Sequence, residues 1–245
     1  MTQGTRGIFI VASGETCRTE ARFALERLRR SNPAVPVTVF TDKPGAFDGN
    51  ASSPVGVEVL ESPQFSFIDK IHGFLNAPYD YNIYMDSDTA AVGAIGDLFA
   101  LLDRFDLAAC MGVGAHGRRY NACSRDDIPE SFAELNTGVV CFRRSPASRA
   151  VFDRWLELYT SHPEHVHDQP AFREAVFESA LSLYVLPPEF NYLPGFGVLS
   201  GNVRVFHSPR IAADPRAFER FEKQINQSDD VRLFVPPGKL YTLRR

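Results

Sequence analysis

Short apolar runs that end on small or polar residues alternate along this chain with stretches whose apolar positions recur every three and four residues. The first spacing predicts buried strands and the second amphipathic helices. Ile8 to Ala12 is the first run. It leads through Ser13-Gly14-Glu15-Thr16 into a helix with Ala21, Ala24, Leu25 and Leu28 on one face, which ends before Pro33. Val37 to Phe40 and Val57 to Leu60 predict the second and third strands. Ile68, Ile71 and Leu75 mark a helix between Phe65 and Ala77, stopped by Pro78 and feeding into a strand over Tyr81 to Met85.

Asp97 then reads as the N-cap of a short helix over Leu98 to Leu102, with a buried strand over Leu107 to Met111. The stretch from Gly112 to Glu134 is irregular and carries Gly112, Gly114 and Gly117 near its start. Connections of that length in compact domains are functional or disordered, and we read this one as a mobile wall over the acceptor side of a site. Strand character returns from Asn136 to Phe142. A helix from about Ala147 to Tyr159 is expected to bury Phe152, Trp155, Leu156 and Tyr159. Asp168-Gln169-Pro170 opens another helix with Phe172, Ala175 and Val176 inward, and Asp before Pro in a first helical turn is good capping chemistry. Leu183 to Leu186 and Val203 to Phe206 are late strands, His207 follows the last, and Asp214-Pro215 starts a helix through Gln224 ahead of an ordered-looking tail.

Strand, helix, strand alternation predicts an α/β protein with a doubly wound, mainly parallel sheet, in which ligands sit outside the carboxyl ends of the strands. Those ends are where the polar residues fall. No repeat, low-complexity segment or linker interrupts the chain, so residues 1–245 read as one domain with a C-terminal extension over about 211–245.

Composition narrows the field. A chain of 245 residues with 44% hydrophobic and 23% charged residues has the makeup of an ordinary globular protein, not of a disordered or collagen-like one. Its net charge of −4 gives no general attraction to nucleic acid or to an anionic membrane. Paired arginines are scattered, and of these only Arg118 and Arg119 fall in a loop able to meet an anionic ligand. The opening residues lack the apolar core and cleavage site of a secretory signal, and no apolar run spans a bilayer. The 4 cysteines, Cys17, Cys110, Cys123 and Cys141, show neither a close pair nor metal-ligand spacing, which fits free thiols in a reducing cytoplasm.

The chemistry centres on Asp86-Ser87-Asp88, where the strand Tyr81 to Met85 ends. Two carboxylates separated by one small residue suit a divalent cation at the mouth of a sheet. On extended backbone Asp86 and Asp88 point to one side while Ser87 faces away. The same tripeptide also reads as a polar turn capping a buried strand. His162, His165 and His167, in "HPEHVHD", lack the spacing of an established zinc site and read as a solvated loop.

The stretch "APYDYNIYMDSDTAAVG" resembles the Asp-X-Asp region of nucleotide-sugar glycosyltransferases of GT-A fold, most of all glycosyltransferase family 8 and its glycogenin-like members. The order of Ala12 to Thr16, Asp86/Asp88, Asn136-Thr137-Gly138, Asp168-Gln169 and His207 extends that resemblance from residue 8 to about 210. It implies a nucleoside-diphosphate sugar donor, a UDP-sugar foremost, transfer with retention, and a carbohydrate, lipid-linked or protein acceptor. It further implies Mn2+, or Mg2+, held by Asp86, Asp88 and His207, since oxygen ligands with one imidazole favour these over a thiolate-selected zinc.

By the same resemblance, base and ribose lie against Ala12, Gly14 and Thr16, with Gly14 standing where relatives carry an acidic residue. Asp86 also contacts the ribose, and Lys70 matches a basic residue near the donor, or else is a surface lysine. Asn136 lines the donor-sugar or acceptor pocket. Asp168 and Gln169 match the Asp-Gln pair beneath the donor sugar, where a carboxylate hydrogen-bonds hydroxyls, stabilises an oxocarbenium-like transition state or attacks the anomeric carbon; alternatively Asp168 merely caps its helix. Relatives follow the histidine with glycine and a Lys-Pro-Trp segment whose lysine holds the diphosphate. This chain reads "HSPRIAADPRAF" instead, which leaves Arg210 to supply that charge.

Three other readings compete. A haloacid dehalogenase-type phosphatase also places Asp-X-Asp after a buried strand, but on the first strand and with Thr or Val where this chain has Ala90. A nucleotidyltransferase needs a Gly-rich, basic loop after the first strand, which "ASGETCRTEAR" does not provide. A non-catalytic sugar-nucleotide binder would keep the fold without turnover.

Overall fold

The computed structural model describes residues 4–48, 55–112, 125, 127–163, 166–194, 198–209, 211–228, 230–235 and 239–243. Residues 113–124 and 126 of the expected mobile wall lie outside this set, Arg118, Arg119 and Cys123 among them, and so do His165 and Arg210.

The amino-terminal half is strand and helix in alternation: β1 (Arg6–Ala12), α1 (Gly14–Ser31), β2 (Val37–Thr41), β3 (Val55–Val59), α2 (Phe67–Leu75) and β4 (Tyr81–Met85). There follow β5 (Thr89–Ala91), α3 (Leu98–Leu101), β6 (Leu107–Met111), β7 (Leu135–Arg143), α4 (Pro146–Ser161) and α5 (Gln169–Phe177). The rest is β8 (Leu183–Leu186), β9 (Val198–Leu199), β10 (Val205–His207), α6 (Pro215–Ile225), β11 (Val231–Val235) and β12 (Lys239–Leu243).

The main sheet has seven strands in the order β3-β2-β1-β4-β7-β6-β8. All run parallel except β7, which is antiparallel to both of its neighbours, β4 and β6. This is the mainly parallel mixed α/β sheet that the alternation predicts, and β4, the strand that delivers Asp86, lies at its centre. The Asp-X-Asp therefore does not follow the first strand, as the phosphatase reading requires.

Period-two alternation divides the core into two layers. From β1, Ile8, Ile10 and Ala12 join Ala21, Ala24, Leu25 and Leu28 of α1 on one side of the sheet. Phe9 and Val11 point to the other side, where α2, α4 and α5 bury Ile71, Phe74, Phe152, Trp155 and Phe172. Phe74 is the hub of that layer, with Tyr84, Phe142, Phe152 and Trp155 at ring-centroid distances of 4.6, 5.3, 5.1 and 5.1 Å. Burying each such ring contributes about 1.5–3 kcal/mol. Gly73 lets α2 lie this close: a Cβ there would sit 2.4 Å from Val11 Cγ2. Lys70 is carried to the sheet's mouth by that contact.

Several expectations are corrected. The third strand runs over Val55–Val59, and Leu60 lies past its end, its N–H bonded to Thr41 O. In α4 the buried positions are Val151, Phe152, Trp155 and Leu158, while Leu156 and Tyr159 are half-buried against the same layer. Asp97 occupies the N-cap of α3 without capping it through its side chain. Asp214 does cap α6, accepting from Ala217 N at 2.9 Å. The tail is a hairpin, β11 with β12, that pairs with β9 in a separate sheet. Cys17, Cys110 and Cys141 are free thiols. No helix among the described residues is long and apolar enough to cross a membrane.

Candidate active site

The sheet's mouth opens into a cleft of about 580 Å³ whose lining includes Lys70, Asp86, Asp88, Asn136, Asp168, Gln169 and His207. Asp86 extends the β4–β7 ladder by one bond, donating its N–H to Gly138 O at 2.8 Å. The backbone then reverses, because Asp86 O accepts from both Thr89 N and Thr89 Oγ1, at 3.2 and 2.6 Å. The Asp-X-Asp is thus a turn and not extended strand, and Ser87 lines the cleft as well instead of facing away. Its hydroxyl donates to Glu20 Oε2 at 3.3 Å.

His207 arrives from a distant part of the chain on a two-stranded antiparallel ribbon. In β5/β10 it pairs with Thr89, and Ser208 N donates to Asp88 O at 3.1 Å. His207 Nε2 stands 3.2 Å from Asp88 Oδ1 and 3.7 Å from Asp86 Oδ2. One ligand atom from each of the three residues lies within 4.8 Å of the others. Ligands about 2.1 Å from a hard cation are separated by ~3 Å when adjacent and ~4.2 Å when opposed, so the donor set and spacing fit Mg2+ or Mn2+.

A hydrogen-bond relay sets the imidazole. Asn191 Nδ2 donates to Asn136 Oδ1 at 2.7 Å, which leaves Asn191 Oδ1 to accept from His207 Nδ1 at 2.9 Å. Nδ1 therefore carries the proton, and Nε2 is directed at the carboxylates, the tautomer a metal ligand needs. Burial opposes charging His207, but the hydrogen bond and charge of Asp88 outweigh it and raise its pKa. Asp88 shifts down despite its own burial, through the same bond.

Beside this triad lies a buried ion-pair network. Lys70 Nζ is 3.0 Å from Asp86 Oδ1 and 3.3 Å from Asp168 Oδ2, and donates to Thr137 Oγ1 at 2.9 Å. Thr137 Oγ1 in turn donates to Asp168 Oδ2 at 2.9 Å, and Tyr84 Oη donates to Asp86 Oδ1 at 2.6 Å. Burial alone would depress Lys70, but the charges of Asp168 and Asp86 hold its ammonium above the ordinary range. Burial raises Asp86, and Lys70 and His207 only partly offset this.

The capping alternative for Asp168 is overturned: its side chain caps nothing and is spent on Lys70 and Thr137. Its backbone C=O accepts from Trp155 Nε1 at 3.0 Å, so the aromatic layer anchors it. Lys70 is likewise no surface lysine, being buried in this network. Asn136 lines the cleft, yet its Oδ1 is engaged by Asn191 and by Gly138 N. Where the first strand exits, Val11, Ser13 and Cys17 line the cleft, in place of the expected Ala12, Gly14 and Thr16. Ala12 is fully buried, Thr16 exposed, and Gly14 N is bonded to Asp42. His167 is exposed in a bend, as the solvated-loop reading expects, and its ring also lines the edge of the cleft against Phe67.

Sequence reasoning gave Thr137 and Gly138 no role of their own, and it missed Tyr84 and Asn191. The first two lie inside the Asn-Thr-Gly-Val element, and Tyr84 two residues before Asp86 on the same face of β4. Asn191, in "PPEFNYLPG", carries no local signal.

Comparisons with known proteins bear on the family and the fold. The profile of the nucleotide-diphospho-sugar transferase family matches residues 71–204. Curated protein sequences give no significant match. Among solved structures, an active-site mutant of LgtC is similar at a TM-score of 0.60 and 13% identity, over 89% of this chain and 94% of that one. Mouse xyloside xylosyltransferase 1 is similar at 0.58 and 12%, over 83% and 97%. The glycosyltransferase GlyE of Streptococcus pneumoniae TIGR4 matches at 0.56 and 18%, over 76% of this chain, which spans only 46% of the GlyE chain. The fold shared with these enzymes is the GT-A fold. Because the family profile covers more than half of the 245 residues, including β4 and the Asp86-Ser87-Asp88 turn, this chain belongs to the nucleotide-diphospho-sugar transferases.

Proposed function

We propose that the protein is a metal-dependent glycosyltransferase, nearest to family 8 and the glycogenin-like enzymes. It moves a sugar from a nucleoside-diphosphate sugar, a UDP-sugar in this reading, to a hydroxyl of a carbohydrate, lipid-linked or protein acceptor, with retention at the anomeric carbon. The observation that carries the reading is the meeting of Asp86, Asp88 and His207 within 4.8 Å in one cleft, next to the buried pair Lys70 and Asp168.

Asp86, Asp88 and His207 would hold Mn2+ or Mg2+, which when bound neutralises charge on a departing diphosphate. Every other role falls to side chains of the chain. Asn191 and Asn136 keep Nε2 of His207 turned toward the carboxylates. Lys70 sets its positive charge between Asp86 and Asp168, so that neither buried carboxylate lacks a cation partner. Asp168 commits Oδ2 to Lys70 and Thr137, while Oδ1 takes no bond from a described residue and is available to sugar hydroxyls or the reacting centre. Gln169, which opens α5, adds an amide to the same wall. Arg210, outside the described residues, follows the β10 ribbon closely enough in sequence to supply a diphosphate contact. The whole chain is one GT-A domain in this reading, and free Cys110 and Cys141, both buried, suit a cytoplasmic enzyme.

The test is a panel of sugar nucleotides incubated with Mn2+, with and without chelator, and scored by released nucleoside diphosphate. Chelator-sensitive release from one donor, abolished in Asp88→Ala with the fold intact, supports the proposal. Transfer by Asp88→Ala at the wild-type rate, or no binding of any donor, sinks it.

A further inference from the structure

On the rim of the same cleft stands Phe65, which no motif singles out. It is 64% exposed and, among the described residues, is the one non-glycine residue in the left-handed region, at φ +53°. An aromatic residue held there is strained, and it persists only where the surroundings over-determine it. Here they do. The buried carboxylate of Asp69 accepts from both Gln64 N and Phe65 N, each at 2.8 Å, and Ser66 Oγ caps α2 by accepting from Ile68 N at 3.2 Å. The backbone is thus locked in a form that presents a phenyl ring to the cleft.

Phe67, by contrast, is packed: its ring meets Tyr159 edge-on and Lys70 Nζ lies 5.7 Å from its centroid. Phe65 meets no other aromatic ring among the described residues. Its nearest landmark is the exit of β1, since a Cβ placed on Gly14 would lie 3.4 Å from Phe65 Cδ1. With Val11 and Cys17 it adds apolar surface to a cleft whose lining also includes Lys70, Asp86, Asp88 and His207. A nucleoside-diphosphate sugar has the same two-part character, a charged diphosphate and a flat base with an apolar face.

We propose that Phe65 is the platform on which the donor's nucleobase stacks, an inference that rests on the donor reading given above. A stacked ring takes the π-face of any base, so Phe65 sets affinity for the base while polar neighbours set its identity. The strained loop serves to hold the platform ready before the donor arrives, which lowers the ordering cost of binding.

Calorimetric titration with Mn2+ present, using UDP and inorganic pyrophosphate as probes on the wild-type chain, Phe65→Ala and Phe65→Trp, tests this. Phe65→Ala is expected to weaken UDP about tenfold or more while pyrophosphate stays within about twofold, since only UDP carries a base. Phe65→Trp is expected to retain UDP binding, with indole fluorescence quenched by UDP but not by pyrophosphate. Unchanged UDP affinity in Phe65→Ala overturns the inference alone, as does an equal loss for both probes, or a loss confined to the acceptor KM, which would make the ring an acceptor contact. Absence of Mn2+-dependent UDP binding by the wild-type chain overturns the proposed function together with this inference.

Discussion

Gly138 leaves the space that His207 occupies. A Cβ at position 138 would lie 2.3 Å from His207 Cε1, 2.5 Å from Nδ1 and 2.9 Å from Asp86 Oδ2. The neighbours that would have to yield are a histidine fixed by Asn191 and a carboxylate fixed by Tyr84 and Lys70, not the free end of a flexible chain.

Gly138→Ala is therefore expected to push the imidazole off the carboxylates. Overpacking of this kind costs about 1–3 kcal/mol of stability, and a displacement of 1 Å at a catalytic centre costs on the order of 100-fold in rate. Chelator-sensitive transfer and Mn2+ affinity should both fall by that order while the variant remains folded by circular dichroism. Retention of wild-type Mn2+ affinity would show that the space at 138 is not what seats His207.

Asn191→Ala tests the relay without touching a ligand atom. Removing it frees His207 to rotate and to change tautomer, and partners of this type are worth about 10- to 100-fold in metal affinity. The expected outcome is Mn2+ affinity weakened within that range. Asn136→Ala should weaken it less, because Asn136 acts on the histidine only through Asn191. Equal effects of the two variants would argue that Asn136 works by another route, such as its bond to Gly138 N.

What the sequence made legible follows from how local each signal is. The short runs of β1, β2 and β4, buried on both faces, and the apolar stripe of α1 are decided within a few residues, and the mainly parallel sheet they predict is the sheet that forms. Asp86, Asp88 and His207 are individually ordinary. They became readable as a set only through the family resemblance, and the β5/β10 ribbon that joins them was half-seen, because the three residues of β5 are too few to show a period. Asn191 and Phe65 stayed hidden for a different reason. The first matters through a contact made only after folding, and the second through a backbone angle that a phenylalanine does not announce.

Among the described residues Lys70 is the one cation shared by Asp86 and Asp168, and its removal takes that partner from two carboxylates in a buried network. Lys70→Met keeps the stem and deletes the charge. Breaking a buried pair in this way costs about 3–5 kcal/mol, which chemical denaturation would read directly. Mn2+ should restore part of the loss, since a cation at Asp86 replaces some of the missing charge. A Lys70→Met stability within about 1 kcal/mol of wild type would show that the ion pairs of Lys70 contribute little to the fold.

Glu134 offers a pH test away from the metal triad. It is 1% exposed, neither side-chain oxygen has a hydrogen-bond partner, and burial, opposed by Arg173, raises its pKa from 4.5 to about 8. A carboxyl whose pKa is higher folded than unfolded binds more protons in the native state between those two values. Its contribution is therefore fully present below pH 4.5 and is lost as pH rises toward about 8. Glu134→Gln keeps the shape and removes the titration. The stability of the wild type relative to this variant should fall by on the order of 4 kcal/mol across that window, at about 1.4 kcal/mol per pH unit. The measurement is urea unfolding of both proteins at several pH values. A difference that stays flat, or that grows as pH rises, would show that Glu134 is ionised in the folded protein and finds a cation there.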